Sequence, residues 1–323
     1  MIRIGIIGAG PNAAGHATYH AASGRARVVA IADPDAARAE ALARQVGARP
    51  VADYQAMLGD VDAVVVASPN FLHREQAIRC AEAGRHVYCE KPLGLSAADA
   101  RAVAAAVRGA GVRSQVGFSV RLDPTIQEMK RRLAAGDLGA PVCAASRRLM
   151  RMDPAAMAGW RADPAKSGGL LCEINIHEID WLMFLLGDVR TVYARTAAVD
   201  RRRGANDDIW TVLGHADGST STHDGSWRSS MPMFYRFLQG ADAAMSTNEW
   251  GNELYLARGS ANRETVPLPP GFDLRGNFLD AIDGRAAAAC DVDWGVAVMT
   301  VADAIIESAR SGTVVHIGAA AQA

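Results

Sequence analysis

Short apolar runs alternate with Ala-rich helical stretches, without interruption, through the first third of the chain. Ile2 to Ile7 is apolar and ends in Gly8-Ala9-Gly10; residues 12–22 then read as helix. Val28 to Ala32 is a second apolar run, followed by a helical stretch over 35–46. Runs at 63–67, 86–89 and 114–118 alternate with helical patterns at 71–83 and 97–108. Short runs that are apolar on both faces predict strands covered on both sides. Their regular alternation with helices predicts a doubly wound parallel sheet in an α/β fold.

The rhythm changes at Arg121-Leu122-Asp123-Pro124, and the reading divides the chain into domains 1–122 and 123–323. The second domain opens with an amphipathic helix at 125–135. Strands are predicted at 190–198, 208–216, 219–228, 233–239 and 252–257, with Asp217-Gly218 as a hairpin turn. Helices are predicted at 169–186 and 294–310.

Composition narrows the function. The 34 basic and 35 acidic side chains give a net charge of −1, so nothing resembles the basic footprint of a nucleic-acid binder. No apolar run is long enough to span a membrane. Five cysteines without CxxC spacing argue against a disulfide framework or zinc knuckle, and the expected home is the cytoplasm. Only three lysines occur, Lys91, Lys130 and Lys166, in a chain otherwise rich in arginine.

Gly8-Ala9-Gly10-Pro11-Asn12-Ala13 is a GxGxxA turn between a strand and a helix. Its glycines admit a pyrophosphate against the backbone, the helix N-terminus offers N–H groups, and Ala13 suits the third, packing position. Asp33 ends the second strand, where a carboxylate accepts the ribose hydroxyls of adenosine. Asp33 would repel a 2′-phosphate, and Pro34 and Asp35 follow it rather than an arginine. NAD is therefore expected in preference to NADP.

Glu90-Lys91-Pro92, taken with Gly8-x-Gly10 and His16, resembles the glucose–fructose oxidoreductase/inositol dehydrogenase (Gfo/Idh/MocA) family. Ser68-Pro69-Asn70-x-x-His73, Gly117-Phe118-x-x-Arg121-x-x-Pro124 and Trp160-Arg161 extend the resemblance. So does the stretch from Gly168 to Asp180, which is similar to a GG-x-L-x-D-x-G-x-H-x-x-D signature. Two positions depart from it: Glu173 stands where Asp is usual, and Asn175 where a small residue is usual. The resemblance implies an N-terminal Rossmann domain and a C-terminal α/β domain on an open, largely antiparallel sheet. It implies cofactor contacts from Gly8, Gly10, Pro11, Asn12, Ala13, Asp33, Ser68, Asn70, His73, Glu90, Lys91 and Arg121. It further implies a small sugar or polyol substrate, and a homodimer or homotetramer assembled through the open sheet.

Glu173 and His177 stand four apart, and Asp180 one turn on, so a helix would carry all three on one face. Oxidation of a secondary alcohol needs a base for the hydroxyl proton, and histidine suits it near neutrality. A lysine ammonium stabilises alkoxide character. His177 is thus the expected acid/base, Lys91 the group that polarises the oxygen, and Glu173 an orienting carboxylate. In the family the corresponding lysine and histidine stand close to the nicotinamide. Lys91, Arg121, Trp160, Glu173 and His177 are the expected substrate contacts; Asp163, Asp207, His223 and Trp227 are further polar or aromatic candidates. A metal held by Cys172, Glu173 and His177 is disfavoured, because only the last two share a face, and no metal is expected. The alternative readings are a glycosidase that recycles bound NAD and a non-catalytic NAD-binding sensor.

Overall fold

The computed structural model describes residues 1–153, 155–198, 207–259 and 262–318. The chain forms two compact units. The first comprises Met1–Gly117 and Asp273–Met299; the second comprises Phe118–Phe272 and the chain from Thr300 onward.

Unit 1 begins β1 (Ile2–Ile7), α1 (Pro11–Ala22), β2 (Ala26–Ala32), α2 (Ala36–Val46) and β3 (Arg49–Val51). It continues through β4 (Ala63–Val66), α3 (His73–Glu82), β5 (His86–Cys89), α4 (Ala97–Ala110) and β6 (Ser114–Val116). All pairings are parallel, in the order β3-β2-β1-β4-β5-β6. The strand order reverses between β1 and β4, and ligands bind such sheets outside the carboxyl ends of the strands at that point. Ile4, Ile6, Val28, Ile31, Val64 and Val65 are fully buried, as a sheet covered on both faces requires.

Unit 2 contains α5 (Pro124–Ala134), β7 (Pro141–Arg151), α6 (Pro164–Ser167), a π-helical turn (Leu171–Asn175) and α7 (Ile176–Leu186). The strands β8 (Val189–Ala197), β9 (Asp208–His215), β10 (Thr220–Ser226) and β11 (Arg228–Gly240) follow. Next come β12 (Ala243–Thr247), β13 (Leu254–Arg258) and β14 (Glu264–Val266). The chain then forms α8 (Leu274–Ile282) in unit 1, α9 (Val292–Ser311), and β15 (Val315–His316) in unit 2. The second sheet has nine strands in the order β14-β13-β12-β11-β7-β10-β9-β8-β15. Only β7 and β10 pair in parallel. One sheet face is sealed by Trp181, Leu182, Leu185 and Leu186 of α7, which pack with Leu238, Met245, Leu254 and Leu256. On the other face the register aligns Tyr193, Val212, Thr222, Ala145, Phe237 and Ser246, and Tyr193, Trp210 and Val212 are exposed.

Three expectations from the sequence are revised. Residues 273–299 return to unit 1 instead of staying with 123–323, and the crossover falls at Phe118 rather than after 122. The returning segment serves the sheet: Val116 N–H of edge strand β6 donates to Cys290 O at 2.7 Å, and Phe278 packs edge-on against Tyr88. Strand β7, at the centre of the second sheet, has no counterpart in the sequence reading. Its inward positions Ser146 and Arg148 are polar, which hides the strand alternation, and their partner Glu178 lies on α7. The helix expected at 169–186 is interrupted by the π turn, so Glu173 lies in that turn and His177 in α7.

Candidate active site

At the carboxyl edge of the first sheet, backbone bonds bring the strand ends side by side. Gly8 N–H donates to Ala32 O, Ala67 N–H to Ile7 O, Glu90 N–H to Val66 O, and Gly117 N–H to Cys89 O. Asp33, the glycine turn, Ser68, Glu90-Lys91 and Gly117 therefore follow one another along that edge.

The glycine turn fits a dinucleotide. Gly8 has φ +103°, and a Cβ there would meet Ala67 O at 2.6 Å. Gly10 faces open space, with nothing within 4 Å of a Cβ built on it. It N-caps α1 without any side-chain cap, so the first N–H groups of that helix remain for a pyrophosphate. Ala13 is fully buried, as its packing role requires. Asp33 accepts from Ala9 N–H at 2.8 Å and from Asp35 N–H at 2.9 Å, which sets its carboxylate against the turn. Arg38, the nearest cation along the chain, is tied to Asp35 at 2.8 Å.

The Ser68 and Glu90 turns are linked by side chains. His73 is buried; its Nδ1 lies 2.7 Å from Pro92 O and its Nε2 2.9 Å from Ser68 O. Ser68 Oγ donates to Gln76 Oε1 at 2.5 Å, and Asn70 is buried. His16 Nε2 lies 2.8 Å from Glu90 Oε1. Burial works against the charged Glu90 carboxylate, yet His16, Lys91 and His73 together hold its pKa below the usual range. The Lys91–Pro92 peptide is cis.

In unit 2 the polar candidates separate into groups. Arg161 Nε donates to Glu173 Oε2 at 3.1 Å, and the Arg161 guanidinium lies 4.5 Å over the Trp160 ring. His177, in the first turn of α7, is 8% exposed and meets the Phe118 ring edge-on. Arg121 does not face solvent: its Nε donates to Asp180 Oδ2 at 2.9 Å, a second guanidinium bond reaches Oδ1, and the group lies over Phe184. Asp180 is fully buried in that pair. Asp207 accepts from Trp227 Nε1 at 2.7 Å, so these two brace one another. Asp163 N-caps α6 through Ala165 N–H. His223 is bonded to Asn175, and a Cβ at Gly225 would overlap the Asn175 amide. Among the described residues, no three His, Cys, Asp or Glu side chains gather as a metal site.

Two residues of this neighbourhood escaped the sequence reading. Glu178 is buried beside His177 and accepts from Ser146 Oγ at 2.6 Å, Arg148 Nη1 at 2.9 Å and Trp181 Nε1. A further carboxylate in so apolar a helix was the available signal. Arg161 shows in the sequence only as the neighbour of Trp160; its hold on Glu173 bridges twelve residues along the chain and has no local pattern.

The model of the oxidoreductase family with an NAD-binding Rossmann fold matches residues 2–118, and that of the GFO/IDH/MocA C-terminal domain matches 126–240. The chain belongs to the Gfo/Idh/MocA oxidoreductase family. Its first unit is the family's NAD-binding Rossmann domain. It is 32% identical to a D-xylose 1-dehydrogenase (NADP(+)) of Haloferax volcanii, over 89% of this chain and 91% of that one. It is 30% identical to an inositol 2-dehydrogenase of Rhizobium meliloti, over 95% and 96%. Among solved structures, the WlbA dehydrogenase of Bordetella pertussis in complex with NADH and UDP-GlcNAcA superposes with TM-score 0.88 at 27% identity, covering 98% and 99%. Among the described residues no helix is long and apolar enough to cross a membrane.

Proposed function

We propose that this oxidoreductase transfers a hydride between NAD and a secondary hydroxyl or ketone of a cyclic polyol, sugar or aminosugar. The single observation that carries this reading is the Glu90-Lys91-Pro92 turn, at the carboxyl edge of the Rossmann sheet on the same edge as the glycine turn and one strand beyond the Ser68 turn. The relatives named as xylose and inositol dehydrogenases support the substrate class.

Bound NAD supplies a hydride acceptor. The chain's own residues do the rest. Gly8, Gly10 and the α1 N-terminus bind the pyrophosphate, with Pro11 and Asn12 in the first turn of that helix. Asp33 takes the adenosine ribose hydroxyls. That carboxylate, with Arg38 already tied to Asp35, disfavours a 2′-phosphate, so NAD is preferred to NADP. Lys91 donates a hydrogen bond to the reacting oxygen and stabilises its alkoxide character. His177 takes the hydroxyl proton in oxidation and returns it in reduction. Glu173, steadied by Arg161, orients hydroxyls with Trp160 as a stacking face. Arg121 contributes indirectly, by anchoring Asp180 three residues beyond His177. Tyr193, Trp210 and Val212 form an aromatic and apolar stretch on the open sheet face, which we assign to contact with a second copy of the chain.

A panel including myo-inositol, D-xylose and UDP-linked aminosugars, offered with NAD and with NADP, tests the reading. The expected result is release of reduced cofactor with at least one member, and a kcat/KM for NAD about a hundredfold above that for NADP. Turnover without net cofactor reduction would mark a recycled hydride instead. Tight NAD binding with no turnover across the panel would mark a sensor.

A further inference from the structure

The Glu90-Lys91-Pro92 turn is gripped on both sides of its lysine. On one side, the Glu90 carboxylate meets His16 Nε2 at 2.8 Å. His16 is 1% exposed, stands on the helix that begins at the glycine turn, and packs edge-on against Tyr88 at 4.6 Å between ring centres. The same carboxylate fills the space in front of Gly117, where a Cβ would lie 2.7 Å from Glu90 Oε2. On the other side, His73 Nδ1 lies 2.7 Å from the Pro92 carbonyl and its Nε2 2.9 Å from Ser68 O, so the ring sits between the two turns and donates to one of them. His73 is likewise 1% exposed. Two helices, α1 and α3, thus each send one buried histidine to the residue before or after Lys91.

We propose that His16 and His73 are positioning residues that clamp the turn and fix where Lys91 presents its ammonium group. The proposal rests on the reading of Lys91 as the group that polarises the substrate oxygen. It assigns His73, whose ring is wedged between the Pro92 and Ser68 carbonyls, to holding the turn in place of contact with the cofactor. It gives Gly117 a reason as well: any side chain there would displace the carboxylate that His16 holds.

The scarcity of lysine makes the test direct. Reductive methylation with 13C-formaldehyde keeps the charge and labels Lys91, Lys130 and Lys166 together with the N-terminus. Lys91→Arg identifies the Lys91 signal. In His16→Ala and in His73→Ala the Lys91 signal is expected to shift or broaden while Lys130 and Lys166 stay in place. His16→Gln, which keeps an N–H donor for Glu90, is expected to restore it. Turnover should fall on the order of tenfold or more in both alanine variants, with NADH affinity retained. In a Lys91→Ala background neither substitution should slow the enzyme further. An unmoved Lys91 signal in both alanine variants, or displacement of all three lysine signals together, would overturn the clamp. The two claims fail separately. Full turnover by Lys91→Ala beside a displaced Lys91 signal would sink the catalytic reading and leave the clamp standing.

Discussion

Glu90 in unit 1 is half-buried and the Glu178 and Asp180 carboxylates in unit 2 are buried, and the three are neutralised differently. Asp180 is met by the guanidinium of Arg121, and Glu178 by Arg148, Ser146 and Trp181. Those partners have fixed charge or fixed geometry, and they tie α7 to β7 and to the crossover. Glu90 is met by His16 and neighbours Lys91, which carry no guanidinium fork to fix its geometry. Arginine-paired carboxylates here build scaffold, and the histidine-paired one belongs to the turn whose lysine we propose as catalytic. Lys130 belongs with the scaffold: its ammonium donates to Phe184 O at 2.7 Å and caps the end of α7, a task for a compact head with several donors.

The sharpest break of this contrast is Asp180→Ala. It strands the Arg121 guanidinium among buried groups and should cost about 3–5 kcal/mol of stability, read as a large fall in melting temperature. A loss below about 1 kcal/mol would mean the pair is solvent-screened and not scaffold. Gly10→Ala should act in the opposite register. Nothing crowds a Cβ at that position, so the melting temperature of the cofactor-free protein should hold, while NAD affinity falls by about tenfold, or about 1.4 kcal/mol, as the methyl enters the pyrophosphate space. Equal loss of stability and affinity would remove Gly10 from the cradle.

Acid should expose the scaffold in two stages. Burial lowers the pKa of His20 to about 3 and of His223 to about 4, against 6.5 for the free side chain. Below pH 6.5 the unfolded chain binds protons that the folded chain refuses, so stability is full above that pH and falls toward pH 4. Glu178 has the same sign from another cause. Burial alone would raise it, but Arg148, Arg236, His223 and Ser146 hold it at about 2, so its contribution is lost as pH falls from 4.5 toward 2. Melting temperature followed against pH should decline through the first window, and less steeply in His20→Leu. A flat profile between about pH 7 and 4 would contradict buried neutral histidines.

The Rossmann half was legible because its signals are local. Apolar runs, the glycine turn and Asp33 each declare themselves within a few residues. The second half was legible only in part. The Asp217-Gly218 hairpin joins β9 and β10 as expected. Strand β7 was hidden because its inward Ser146 and Arg148 are polar until Glu178 is brought to them from α7. The site shows the same division. Glu90 and Lys91 announce themselves as a motif, whereas Arg161 on Glu173 and Asn175 against His223 are long-range pairings with no periodicity. The π turn also escaped, because its residues favour helix and only the wider hydrogen-bond ring distinguishes it.

We assign the chemistry to Lys91 and His177. Single-turnover reduction of saturating NAD by whichever polyol or sugar the wild-type enzyme accepts tests it most directly, with NADH affinity measured in parallel. Lys91→Ala and His177→Ala should each slow the reduction by on the order of a hundredfold or more while binding NADH as the wild type does. Wild-type rates in either variant would contradict the account.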